Sequence, residues 1–191
     1  MENNKYASFF RRLLAIILDI FLLFILGASV LIILLNSSND ENFIANLILF
    51  IIYLLVIHGI LLIFLYSYLV SKFGGTPGKL LSGIKIENED GSKLTFKQAI
   101  FREYIAKSVS FAFLGLGFFW IFKTPKKQGW HDMISSTVVV KKRNIISGLL
   151  SLLSVIIISV LLSAGLLKSI NQLNEKVIYI TNINTNINKF Y

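Results

Sequence analysis

The sequence predicts an all-α membrane protein with three transmembrane helices, a re-entrant or interfacial apolar hairpin and a small cytoplasmic β-hairpin. Three observations carry this expectation. Apolar runs occupy residues 13–35, 43–70 and 145–167, with lengths of 23, 28 and 23 residues. At about 1.5 Å per residue, each is long enough to cross a hydrocarbon core of ~30 Å. A fourth run, 108–122, has only 15 residues, with Gly115 and Gly117 near its middle. Finally, 55% of the 191 residues are hydrophobic and 15% are charged. A soluble domain of this length cannot bury that much apolar surface.

The first span is preceded by Arg11 and Arg12 and carries one charge inside it, Asp19. Arg11 reads as a topogenic anchor. Arg12 and Asp19 are seven apart, two helical turns, so they project from one face. Arg12 reaches the headgroups by snorkelling, while Asp19 lies roughly 10 Å deeper. Placing an aspartate near the centre of a membrane helix costs roughly 3 kcal/mol on insertion scales, so Asp19 is either tolerated near the membrane edge or functional. The run exceeds the 7–15 residues of a signal h-region and lacks a clean A-x-A site, so it reads as a permanent span.

Residues 36–42 (NSSNDEN) form a polar loop, and the 28-residue run after them is long enough to tilt. That run holds Tyr53, His58, Tyr66 and Tyr68, the last two suited to an interfacial belt. His58 reads as a proton-relay residue or as a neutral imidazole hydrogen-bonded between helices. Residues 71–79, SKFGGTPGK, imitate a phosphate-binding loop and fail the test. Phe73 stands where the first glycine is required, and Leu80 stands where the hydroxyl should be. The stretch is a turn, followed by a short surface element through Lys79, Leu80, Leu81 and Ile84.

In 83–96, Ile84 and Ile86 alternate with Lys85 and Glu87, Asp90-Gly91 signals a turn, and Leu94 and Phe96 alternate again. That pattern predicts the hairpin. Residues 97–107 have an amphipathic, basic helical pattern. Residues 123–143 are basic and run into the β-rich TVVVKK at 137–142. The last span, 145–167, is followed by a polar Asn-, Ile- and Thr-rich tail, 168–191, to which the pattern assigns no structure.

The net charge of +9 would point to nucleic acid in a soluble protein. Here the basic residues flank the apolar runs, so the bilayer and its anionic headgroups are the expected partners. With no cysteine and only His58 and His131, no metal site or cofactor is expected. No nucleophile set or phosphate loop survives inspection, so an enzyme is not expected. Lys and Arg number 3 before the first span, none in 36–42, 6 in 71–103, 6 in 123–144 and 3 in the tail. If 108–122 re-enters rather than crosses, the basic residues gather on the inner side. The N-terminus is then cytoplasmic and the tail extracytoplasmic. TVVVKK also reaches the hairpin only if both lie on one face.

The stretch RRLLAIILD, with Arg12 and Asp19, resembles the opening of the RDD family of membrane proteins. The resemblance continues through GGTPGKLLSGIKI (with Thr76, Gly78, Lys79 and Gly83), the turn at Asp90-Gly91, Arg102, and KQGWHDMISSTVVV with His131 and Asp132. It spans residues 6–142 as a membrane domain, leaving 143–167 as an additional C-terminal helix and 168–191 as the tail. The resemblance implies a multi-pass protein of a bacterial cytoplasmic (inner) membrane. Some members are associated with cation/proton antiport, and others look like regulators or partners of other membrane proteins. Two functions therefore stand open: a monovalent cation/proton antiporter using Asp19, working as a homo-oligomer, and a non-catalytic scaffold or regulator of another membrane protein. Asp132 either caps a helix or pairs with a nearby lysine, or folds under the first span to pair with Arg12 and leaves Asp19 titratable.

Because native cysteine is absent, single cysteines at positions 126 and 182 report topology cleanly. In intact cells a membrane-impermeant thiol reagent is expected to label position 182 and not position 126. Labelling at 126 would place a full crossing at 108–122.

Overall fold

The computed structural model describes residues 5–36, 43–52, 59–142 and 145–187. Tyr53 and His58 lie outside the described residues, as does most of the loop at 36–42. Helix α1, Phe9–Asn36, is apolar almost all round, and Ile20, Phe21 and Phe24 are 60–70% exposed. A helix apolar on every face needs a bilayer or a protein around it. Residues of the second run form α2, Phe43–Ile52, and α3, Gly59–Phe73. Two described helices are long and apolar enough to cross a membrane, over Phe9–Ile32 and Ile146–Gly165, and a bent pair described below makes a third if counted as one span.

The glycine-rich turn leads into α4, Pro77–Leu81, with Thr76 as its N-cap and Pro77 in its first turn. Helix α4 packs against α1 so closely that a Cβ on Gly78 would meet the Ala15 carbonyl at 2.2 Å. Only glycine fits there. Strand β1, Ile84–Asn88, follows.

The expected hairpin is not formed. The chain turns at Asn88–Ser92, where Asn88 N donates to Ser92 O, but it does not return as a strand. Thr95 instead caps α5, Phe96–Ile100, in a reciprocal capping box with Gln98. The partner of β1 is β2, Thr137–Lys141, antiparallel, with Ile86 opposite Val139 and Asn88 opposite Thr137. Tyr6 bridges to Val140 on the other side of β2, and Ala7 N donates to Val139 O at 2.8 Å. The N-terminal segment is thereby stitched to the sheet just before α1 begins. Ala7, Ala15, Val70, Ile84, Ile86, Leu94, Ala99 and Val139 form one buried core at this junction.

Helix α5 continues as a π-helical turn, Phe101–Ala106, and then α6, Lys107–Ala112. The chain reverses at Phe113–Gly115, with Leu114 and Gly115 at positive φ (51° and 79°), and proceeds as α7, Leu116–Phe119, and a 3₁₀ turn, Trp120–Phe122. The helix axis bends by 104° between the two arms. The apolar stretch at 108–122 is thus a bent hairpin with Leu114, 97% exposed, at its tip. After a loop comes α8, Trp130–Ile134.

Helix α9 runs Ile145–Ile187, 43 residues. The polar tail therefore continues the last apolar helix as far as Ile187. Nucleation is the costly step of helix formation, and the apolar half has already met it. Leu65, Leu69 and Val155 join α3 to α9, with Leu22 and Leu26 of α1 packed against them.

Candidate functional site

Burial of charge locates the site. Asp132 sits in the first turn of α8 and is fully buried. Its Oδ2 accepts from Arg12 Nη1 of α1 at 2.5 Å and from Gly129 N at 3.1 Å, and its Oδ1 accepts from Arg102 Nη2. The two readings of Asp132, helix cap and partner of Arg12, are both realised in one carboxylate. Both cations described at this carboxylate are arginines. Arg102 lies in the π-helical turn and is 1% exposed; its Nη1 donates to Glu103, and its Nε donates to Thr137 Oγ1 at 3.0 Å. Glu103 in turn receives Lys79 Nζ at 2.9 Å and Lys107 Nζ. Arg12 also donates to the Lys127 carbonyl at 2.5 Å.

Asp19 belongs to a second lock two turns further along α1. Its Oδ2 accepts from Thr76 Oγ1 at 2.5 Å, and its Oδ1 accepts from Gly78 N at 2.7 Å. The carboxylate caps the N-terminus of α4, where free N–H groups favour negative charge. Gly78 permits this approach, since an added Cβ would stand 2.8 Å from the Asp19 carboxyl carbon.

Of the residues singled out in the sequence, Arg12, Arg102, Asp132, His131 and Lys79 converge on the first network, and Asp19, Thr76 and Gly78 form the second. His58 lies outside the described residues. Sequence reasoning missed Glu103, the acceptor of three cations, although its spacing of four from Lys107 is a helical ion-pair signal. It also missed Thr137 and Ser110. Among the described residues, no group of three or more His, Cys, Asp or Glu is placed to hold a metal ion.

Electrostatics make the network rigid. Burial opposes ionisation of Asp132, but Arg12 and then Arg102 outweigh it and hold the carboxyl well below the usual range. Burial pushes His131 down to about 3 against the pull of Asp132, so the imidazole is neutral. Its Nδ1 stands 3.2 Å from Ser110 Oγ, its Nε2 3.4 Å from Asp132 Oδ1, and its own N–H donates to Ser110 Oγ at 3.1 Å. Burial lowers Lys79 to about 8 despite Glu103, with Lys107 and Arg102 pressing the same way.

Removing one partner of a buried pair typically costs ~3–5 kcal/mol, because the other charge is stranded. Arg12→Ala and Asp132→Ala are each expected to lower thermal stability in detergent, Asp132→Ala more, since it also strands Arg102. The double variant is expected to fall short of the sum of the two losses, and simple additivity would show that the residues act independently. For His131, the unfolded chain binds the proton from pH 6.5 downward and the folded chain does not until about 3. Stability is therefore expected to fall as pH drops through that window, by up to about 1.4 kcal/mol per unit. The depressed Asp132 adds to the loss only once pH falls below the usual carboxylate range. His131→Gln is expected to keep the neutral-pH stability and flatten the slope between pH 6 and 4, which thermal melts across that range will read; an unchanged slope would assign it elsewhere.

The RDD family profile matches residues 6–136, a stretch that begins at the bridge residue Tyr6 and contains Arg12, Asp19, Arg102 and Asp132. A Bacillus subtilis (strain 168) relative named "Uncharacterized protein YxaI" is 40% identical over 72 residues, which cover 38% of this chain and 46% of the relative. The chain thus matches less than half the length of that relative. No solved structure matches. Since the profile takes in most of the chain and every charged residue of both locks, the chain belongs to the RDD family.

Proposed function

We propose that this protein is a non-catalytic scaffold or regulator in a bacterial cytoplasmic membrane, serving another membrane protein or a second copy of itself. The observation that carries this reading is the state of Asp19: both carboxylate oxygens are engaged, one by Thr76 and one by Gly78 N. A carboxylate that exchanges a proton for a cation has to loosen its fixed partners as it does so. Here the oxygens hold α4 to α1. Asp132 is likewise occupied, by Arg12 on one oxygen and Arg102 on the other. The bent apolar hairpin, read as re-entrant, keeps the two strands on one side of the membrane and gives partners a compact platform there.

The competing antiport reading makes Asp19 a carrier, and one substitution separates the two. Asn keeps an acceptor oxygen for Gly78 N and nearly the same shape, whereas Ala leaves a buried hydroxyl and a buried N–H without an acceptor, at about 1–3 kcal/mol each. Asp19→Asn is expected to melt close to wild type and Asp19→Ala well below it. In proteoliposomes, wild type is expected to give no pH-dye response to Na⁺, Li⁺ or K⁺. A wild-type response that Asp19→Asn abolishes would replace the scaffold reading with antiport.

A further inference from the structure

A cavity of about 470 Å³ opens between the start of α1 and the bent hairpin. Its walls are apolar: Phe9, Leu13 and Ile16 from α1, and Phe111, Phe118 and Phe119 from the hairpin. Its polar lining is of one sign. Arg12, Lys79, Arg102 and Lys107 reach it with the neutral His131, and no carboxylate is among the lining residues. We infer that this cavity is a binding site for one anionic glycerophospholipid of the surrounding membrane, with the phosphodiester on the basic floor and the first carbons of its chains along the aromatic walls.

Three features argue for this occupant. The first is charge. In the two locks, the four cations Arg12, Lys79, Arg102 and Lys107 face three carboxylates: Asp132, Glu103 and, facing Lys79 from α1, Asp19. One positive charge remains, the complement of a single phosphodiester. The second is a vacant donor. Arg12 lines the cavity, and its Nε is buried with no hydrogen-bond partner. A buried donor without an acceptor is costly and rare, and a phosphate oxygen would satisfy it once the guanidinium turns toward the cavity.

The third feature is access. Leu13 and Ile16 are 40% and 43% exposed, and Phe111 and Phe119 are 66% and 54% exposed. These apolar side chains belong to the surface that α1 and the hairpin present to lipid, so an amphiphile enters sideways from the bilayer. The volume lies within the ~300–1,000 Å³ of small-molecule sites, enough for a headgroup and the upper chains.

The test uses the full chain in detergent and reads thermal stability and native mass spectra with added phosphatidylglycerol, phosphatidylcholine of matched chains, or inorganic phosphate. Phosphatidylglycerol is expected to raise the melting temperature saturably and to be retained as one molecule per chain, with at least about a tenfold preference over phosphatidylcholine. Inorganic phosphate is expected to do neither. Lys107→Gln is expected to weaken the preference. Ile16→Trp, which narrows the cavity without touching the ion pairs, is expected to abolish the retained lipid while melting like wild type in its absence. Equal effects of both lipids, an effect of inorganic phosphate as large as that of phosphatidylglycerol, or an Ile16→Trp variant that still retains the lipid would each overturn the proposal. So would a second chain lost from the spectra in place of lipid, since the cavity would then be a protein interface.

Discussion

The structure depends on a carboxylate with no exposure and two arginines around it. Asp132 is held by Arg12 from the first helix and by Arg102 from the π-helical turn, while its own helix is capped by the same group. Desolvating three charges costs several kcal/mol per ion, and mutual attraction seldom returns much more than that. The cluster is therefore better understood as a constraint on geometry than as a source of net stability. An α1 rotated by half a turn, or a hairpin shifted along α8, strands a charge in a dry site. Few other contacts in the domain discriminate so sharply, because apolar side chains slide past one another at little cost.

The second lock works on the same helix by a different rule. Asp19 binds an N–H at the start of a five-residue helix and the hydroxyl of its N-cap residue, so polar groups that would otherwise lack partners answer a carboxylate that would otherwise be stranded. Two fixed points two turns apart on α1 determine its rotation and its height. The sheet adds a third constraint, since Ala7 pairs with β2 immediately before α1 begins. The membrane helix is thus oriented from its first turns, and its C-terminal half is left to meet lipid or protein.

Much of this was legible in the sequence because charge inside an apolar run has few explanations. The spacing of Arg12 and Asp19, the glycines around Thr76 and Pro77, and Asp132 after His131 each point to a local requirement, and the structure meets each one. The sequence shows the pairing over distance only in part. The alternation of Ile84 and Ile86 announces a strand and TVVVKK reads as an addition to a local hairpin, whereas in the structure that hairpin is absent and 137–141 pairs with the strand directly. Leu94 and Phe96 alternate too, but Thr95 and Gln98 form a capping box, and a helix start overrides a two-residue alternation. Glu103 escaped notice because a carboxylate in a basic amphipathic segment looks like surface until the partners from α4 and α6 are in place.

The π-helical turn explains how one segment presents two opposite charges inward. Arg102 and Glu103 are adjacent, 1% and 9% exposed. In a regular α-helix, neighbours point about 100° apart, so two adjacent side chains face the core together only across the width of the buried stripe. Widening the turn over Phe101–Ala106 relaxes that rule, so Arg102 faces Asp132 and Thr137 while Glu103 faces Lys79 and Lys107. Such turns are rare and occur mostly at functional sites, because a less favourable backbone persists only where side chains reward it. Here the reward is the joining of both networks through one pair of residues: Arg102 completes the shell of Asp132, and Glu103 ties in Lys79, whose neighbour Gly78 is the residue that Asp19 grips. The π turn is the point at which the two locks on α1 become one.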